Sequence, residues 1–140
     1  MQMRDIMTRN VEIVSPDTSI QEAARKMRSF DVGILPVCEN QQCIGVITDR
    51  DITIRSTAEG FDPASTYVNE IMTHTVVYCS ENDDIRTAAR VMEDKQIRRI
   101  LILDDDKRVL GICSLADLVL DTNDLQLTGE IIHEVSKHGW

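Results

Sequence analysis

The chain repeats itself, and that repetition constrains its fold more than any other feature. Asp5-Ile6-Met7-Thr8 returns as Glu70-Ile71-Met72-Thr73. On the same shift Val11 and Ser15 meet Val76 and Ser80. Ile20, Ala23, Ala24, Arg25 and Met27 meet Ile85, Ala88, Ala89, Arg90 and Met92. With one extra residue in the second copy, Gly45 and Asp51 meet Gly111 and Asp117. Unrelated segments do not hold register over so many positions. The chain therefore carries two copies of one supersecondary unit, stacked on each other. A unit of about 60 residues buries too little surface to be comfortably stable alone. Two of them, in 140 residues, can share a core.

Both copies read alike. Val11–Val14 and Val76–Cys79 are short strand candidates. Pro16-Asp17-Thr18-Ser19 breaks the first, and Ser19 with Glu22 fits a capping box that starts a helix. Ile20, Ala23, Ala24 and Met27 form one apolar face of that helix, and Ile85, Ala88, Ala89 and Met92 repeat it. Ile34–Cys38 and Cys43–Ile47 then flank the polar turn Glu39–Gln42. Ile100–Leu103 and Val109–Cys113 flank the turn Asp104–Lys107. Each pair predicts an antiparallel hairpin. A second helix closes each copy, from near Asp49 and near Leu115, so the unit is β-α-β-β-α. Gly60-Phe61-Asp62-Pro63 marks the loop between copies. A short helical lead-in is expected over Ala64–Met72, and a final amphipathic helix on Leu127, Ile131, Ile132 and Val135. The expected division is 1–60, 61–124 and a helical tail, 125–140. That tail either caps the core or joins a partner subunit.

Composition narrows the classes. Hydrophobic residues make up 42% and charged residues 28%, as in a globular protein. No apolar run reaches the roughly 20 residues of a membrane span, and the N-terminus lacks a signal peptide's apolar core. The expectation is a cytoplasmic protein without membrane association. A net charge of -9 and the lack of a long Lys/Arg run argue against nucleic acid. A small anion needs only one or two placed arginines. Cys38, Cys43, Cys79 and Cys113 form no C-x-x-C pair, and His74, His133 and His138 are not spaced as zinc partners. Reduced, buried cysteines are expected, with no metal site. Cys38 and Cys43 flank one turn, so a disulfide or a metal between them is the alternative. On that alternative the chain is a redox- or metal-responsive interaction module. No nucleophile and base stand at catalytic spacing, so no enzyme is expected.

Function is concentrated at the end of each hairpin. Copy one reads Gly45-Val46-Ile47-Thr48-Asp49-Arg50-Asp51, and copy two reads Gly111-Ile112-Cys113-Ser114-Leu115-Ala116-Asp117. A hydroxyl at the strand-to-helix junction sits where unpaired backbone N–H groups favour an anion. An aspartate three residues on lies on the same face and can accept both hydroxyls of a ribose. An ordinary helix cap, hydroxyl at N-cap and acid at N3, accounts for the same residues.

Taken together, these segments resemble a CBS domain, and the pair resembles a tandem CBS (Bateman) module of stand-alone prokaryotic type. The likeness runs from about Asp5 to Leu120. It is carried by Asp5-Ile6-Met7-Thr8, the Ser-Pro-Asp start of the first helix, Gly33-Ile34-Leu35-Pro36-Val37 and the two Gly-x-x-[Ser/Thr]-x-x-Asp turns. The resemblance implies an α/β (α+β) fold of two β-α-β-β-α repeats packed with pseudo-two-fold symmetry, and a homodimer. It implies a regulatory sensor of an adenosine ligand (AMP, ADP, ATP, an NAD-type ligand or S-adenosylmethionine) that signals to a separate effector protein. It groups Thr48 and Asp51 with Ser80, Ile85, Ile97 and Arg98. It groups Ser114 and Asp117 with Ser15, Ile20, Val32, Gly33 and Ile34, and it turns Arg99 toward phosphates. Arg98-Arg99-Ile100-Leu101 replaces Gly33-Ile34-Leu35-Pro36 in the second copy, so the two sites are expected to differ. Surface salt bridging is the other reading of the two arginines.

Overall fold

The structure is a computed structural model that describes residues 1–137. Residues 138–140, His138 among them, and the Val135 side chain lie outside the described residues. In chain order the elements are α1 (Met3–Ile6), α2 (Ile20–Phe30), β1 (Ile34–Glu39), β2 (Gln42–Thr48) and α3 (Asp49–Asp51), which continues as a π-helical stretch, Ile52–Thr57. They are followed by α4 (Val68–Ile71), β3 (Tyr78–Cys79), α5 (Ile85–Lys95), β4 (Arg99–Leu103), β5 (Val109–Ser114), α6 (Leu115–Asp121) and α7 (Leu125–Ser136). The fold is α+β.

Two compact units emerge, and neither is contiguous. One gathers Val11–Val76 with Asp106–Arg108. The other gathers Met1–Asn10, Val77–Asp105 and 109–137. The leading segments are thus exchanged relative to the sequence repeats 1–60 and 61–124. Packing gives the reason. Met3 and Met7 are buried with Ile85, Met92, Ile100 and Ile102, and Thr8 bridges Ile112 antiparallel. Val68, Ile71 and Met72 are buried with Ile20, Leu35 and Ile47, and Thr73 bridges Val46 antiparallel.

In the first-repeat unit, β1 and β2 pair antiparallel from Ile34↔Thr48 to Glu39↔Gln42. The loop narrows to Asn40 and Gln41, both left-handed with φ 53° and 67°. Two such residues make the turn whose twist matches the flanking strands. The strand expected at Val11–Val14 shrinks to one parallel bridge, Val14↔Val37, and Ile13 O accepts instead from Lys26 Nζ at 3.1 Å. Ser19 caps α2 by accepting from Glu22 N at 3.1 Å. The reciprocal half of the expected box is missing, since the Glu22 carboxylate pairs with Arg25 at 2.9 Å. The lead-in expected over Ala64–Met72 condenses to the single turn of α4.

In the second-repeat unit, β3 pairs parallel with β4, and β4 antiparallel with β5. Here α7 packs on α5 and adds Leu127 and Ile131 to the core. The tail therefore caps the core, while Ile132 stays exposed. This also explains a failed equivalence. Ala89 is buried, but its counterpart Ala24 is exposed, because α2 has no helix like α7 laid over it within its unit. Both helices end in a left-handed residue without glycine, Asp31 on α2 and Gln96 on α5.

Candidate functional site

Each unit brings one hydroxyl–aspartate pair to the junction of a hairpin and a helix. Thr48 Oγ1 accepts from Asp51 N at 3.0 Å, and Asp51 Oδ2 accepts from Thr48 N at 3.0 Å. Ser114 Oγ accepts from Asp117 N at 3.1 Å, and Asp117 Oδ2 accepts from Ser114 N at 2.8 Å. The helix-cap reading is thus realised twice, as reciprocal capping boxes. Capping leaves further acceptor capacity on a carboxylate, which has about four lone-pair sites, so the cap and a ligand are compatible.

The two carboxylates differ in what else holds them. Asp51 is only 7% exposed. Thr73 Oγ1 donates to its Oδ1 and Oδ2 at 3.1 and 3.2 Å, and Arg55 stands 3.8 Å from Oδ1. Asp117 is partly exposed. Among the described residues no hydrogen bond reaches its Oδ1, and Thr8, the counterpart of Thr73, donates nothing to it. In the register of the repeats the place of Arg55 belongs to Asp121, so a cation is replaced by a like charge.

The glycine that opens each motif has a role that sequence reasoning left unassigned. A Cβ on Gly45 would lie 2.7 Å from Thr73 O, and one on Gly111 would lie 2.8 Å from Thr8 O. Both glycines admit the backbone of the exchanged leading segment, which then pairs with the strand: Val46 N donates to Thr73 O at 2.9 Å, and Ile112 N to Thr8 O at 3.0 Å. An isolated glycine inside a strand was the available signal for such an approach.

The remaining candidate residues fall into three groups. Ile20 and Ile85 open their helices and are buried in the core of their units. Gly33 and Ile34 flank the first cap: Asp49 N donates to Gly33 O at 3.0 Å, and Ile34 pairs with Thr48. Val32 is exposed beside them. Arg98 and Arg99 flank the second cap in the same way: Leu115 N donates to Arg98 O at 2.7 Å, and Arg99 pairs with Ser114. Both arginines are exposed, and Ile97 packs against the core. Ser15 and Ser80 hold the turns that precede α2 and α5. Ser15 N donates to Thr18 Oγ1 at 3.1 Å, and Ser80 Oγ accepts from Asn82 N at 3.3 Å. Within its own unit, each cap is therefore joined by main-chain bonds to the start of its hairpin. A groove of about 480 Å³ lined by Arg90, Val91, Glu93, Asp94 and Glu134 shares none of these residues.

No group of three or more His, Cys, Asp or Glu among the described residues is placed to hold a metal ion. All four cysteines are buried and free. No helix among the described residues is long and apolar enough to cross a membrane.

The sequence profile described as CBS domain matches residues 3–56 and again 68–121. This chain belongs to the CBS-domain family. The CBS domain-containing protein YhcV of Bacillus subtilis (strain 168) is 38% identical over 134 residues, covering 96% of this chain and 94% of its own. The crystal structure of Hypoxic Response Protein I with two coordinated zinc ions is similar at TM-score 0.79 and 33% identity, over 87% of this chain and 99% of that one. The CBS domain pair of protein MJ0100, solved in complex with 5'-methylthioadenosine and S-adenosyl-L-methionine, is similar at TM-score 0.75 and 26% identity, over 84% and 92%. The two profile matches start at each exchanged segment and end at each closing helix, so the CBS repeats and the compact units partition the chain differently.

Proposed function

We propose that this tandem CBS protein is a non-catalytic regulatory sensor of an adenosine-containing ligand. Thr48/Asp51 and Ser114/Asp117 are its ribose-facing pairs. Arg98 and Arg99 serve phosphate or another anionic group. Ser15, Ile20, Val32, Gly33, Ile34, Ser80, Ile85 and Ile97 complete the ligand surface. The observation that carries this reading is the second capping box: Asp117 keeps an acceptor oxygen beyond the cap, on a partly exposed carboxylate. A vicinal diol offers two donors that such a group accepts. The complex of the MJ0100 pair with two adenosine ligands supports the ligand class.

The mechanism is a shift in population. A ligand that binds one conformation better than another moves the equilibrium by that difference in affinity and no more. The signal passes to a separate effector protein, and the working species is a cytoplasmic homodimer. The test is a thermal shift with AMP, ATP, NAD, S-adenosylmethionine and 5'-methylthioadenosine. A ligand at 100 times its Kd adds about 2.7 kcal/mol, which raises Tm by roughly 5–14 °C for a chain of this size. At least one of the five is expected to do so with no turnover detected. No shift with any of them, or turnover of the ligand, overturns the reading.

A further inference from the structure

Cys38 and Cys43 face each other across the first hairpin. They are register partners immediately beyond the pair Glu39↔Gln42 that closes the turn. Their N–H groups point away from each other: Cys38 N donates to Val14 O at 2.9 Å, and Cys43 N donates to Lys107 O at 2.8 Å. They therefore form a non-hydrogen-bonded antiparallel pair. In such a pair the Cα atoms lie about 4.5 Å apart and the side chains are at their closest. That spacing falls within the roughly 4.4–6.8 Å that a disulfide requires.

The second repeat supplies an internal control. Its hairpin carries the same irregularity, between Ile102 and Leu103, as the first does between Val37 and Cys38. At the equivalent pair it places Leu103 opposite Val109. An aliphatic pair satisfies the fold there, so packing does not demand two thiols at this position. The other cysteines are not so paired: Cys79 stands opposite Ile102, and Cys113 opposite Ile100. Cys38 and Cys43 also retain 8% and 6% exposure, whereas Cys113 has none.

We propose that Cys38 and Cys43 form a redox-active dithiol, which a hydroperoxide converts to an intramolecular disulfide. The Cys43 thiolate attacks one oxygen of the hydroperoxide, and the O–O bond breaks. The departing alkoxide takes up the proton lost by Cys43 and leaves as the alcohol, while Cys43 becomes a sulfenic acid. The Cys38 sulfur then forms the S–S bond and displaces the hydroxyl, which leaves as water with the Cys38 proton. Two thiols lose two electrons, and the hydroperoxide is reduced to alcohol and water. Electrostatics suits this order. A hydrogen bond from the Cys38 thiol, together with the positive charge of Lys107, holds Cys43 down at about 7 against its burial. Burial pushes Cys79 up to about 11 and Cys113 up to about 12.

The test needs no nucleotide, so its outcome is independent of the sensor reading. The full chain is treated with hydrogen peroxide, unfolded in the presence of a maleimide, and analysed by intact mass and peptide mapping. Protein that has lost two hydrogens is expected, with Cys38 joined to Cys43 and with Cys79 and Cys113 alkylated. Cys38→Leu, which copies the second repeat, is expected to stop at a Cys43 sulfenic acid that a cyclic 1,3-diketone traps. Cys43→Val is expected to form neither product. Both variants install residues already used at the equivalent pair, and circular dichroism checks that they fold. Four alkylated cysteines after peroxide, a linkage through Cys79 or Cys113, or two thiols protected by bound zinc would each overturn the proposal.

Discussion

Asp51 and Asp117 occupy the same place in the two repeats and end in different company. Both complete a capping box, yet Asp51 is buried under Thr73 and Arg55 while Asp117 is partly exposed, one helical turn before Asp121. One duplicated motif thus stands in two environments. The first carboxylate also ties an exchanged segment to its unit, and the second keeps more acceptor capacity beyond its cap. Duplication by itself does not separate a cap from a ligand site, because both are copied alike.

The largest expected effect separates the two acids by stability. Asp51→Ala removes a cap and leaves Thr48 N and the Thr73 hydroxyl without their acceptor, at a cost of about 3 kcal/mol. Asp117→Ala removes the equivalent cap and frees Ser114 N, but on a partly exposed residue and with no third partner among the described residues, at about 1 kcal/mol. Urea unfolding of both variants reads the difference, and equal losses would break the comparison. Gly45→Ala and Gly111→Ala test what the repeats share. Each new methyl meets backbone, Thr73 O or Thr8 O, so each is expected to cost about 2 kcal/mol by overpacking. A neutral result at either position would show that its leading segment is not held as described. Thr73→Val is expected to cost about 1.5 kcal/mol through the lost hydrogen bond to a charged group, and Thr8→Val less than about 0.5 kcal/mol, as for an exposed position.

Much of this architecture was legible in the sequence. The hairpins were, because apolar runs of strand length bracket short polar turns. So were α2 and α5, because their apolar faces recur at helical spacing and their N-caps are hydroxyl or acid. The exchange of leading segments was not. Asp5-Ile6-Met7-Thr8 carries no local sign of its partner strand, and only Gly45 and Gly111 hinted that another backbone comes close. The strand expected at Val11–Val14 is reduced to a single rung at Val14, one fewer than its counterpart β3 keeps before the same turn. Half of the site was readable too. The hydroxyl–aspartate spacing specified both caps, and the replacement of Gly33-Ile34-Leu35-Pro36 by Arg98-Arg99-Ile100-Leu101 already marked their surroundings as unequal. The bond from Thr73 to Asp51 links residues far apart in sequence and needed the fold.

The smallest expected effect concerns the hairpins. In the folded protein, alkylation of Cys43 is expected to rise through a midpoint near pH 7, where the thiol gives way to the thiolate. Cys38→Leu removes the hydrogen bond that favours the thiolate, so the midpoint is expected to move up toward the ordinary thiol range. An unmoved midpoint would mean that Cys38 does not set the reactivity of its partner.

The most direct measurement of the difference between the two acids is calorimetric titration of the ligand that gives the largest thermal shift. It is carried out on the native chain and on Asp117→Ala, with folding of the variant verified by urea unfolding. Loss of the two ribose hydrogen bonds to a charged acceptor is expected to weaken binding at least about tenfold, equivalent to about 1.4 kcal/mol. Unchanged affinity in Asp117→Ala would contradict the assignment of the open carboxylate to ligand binding.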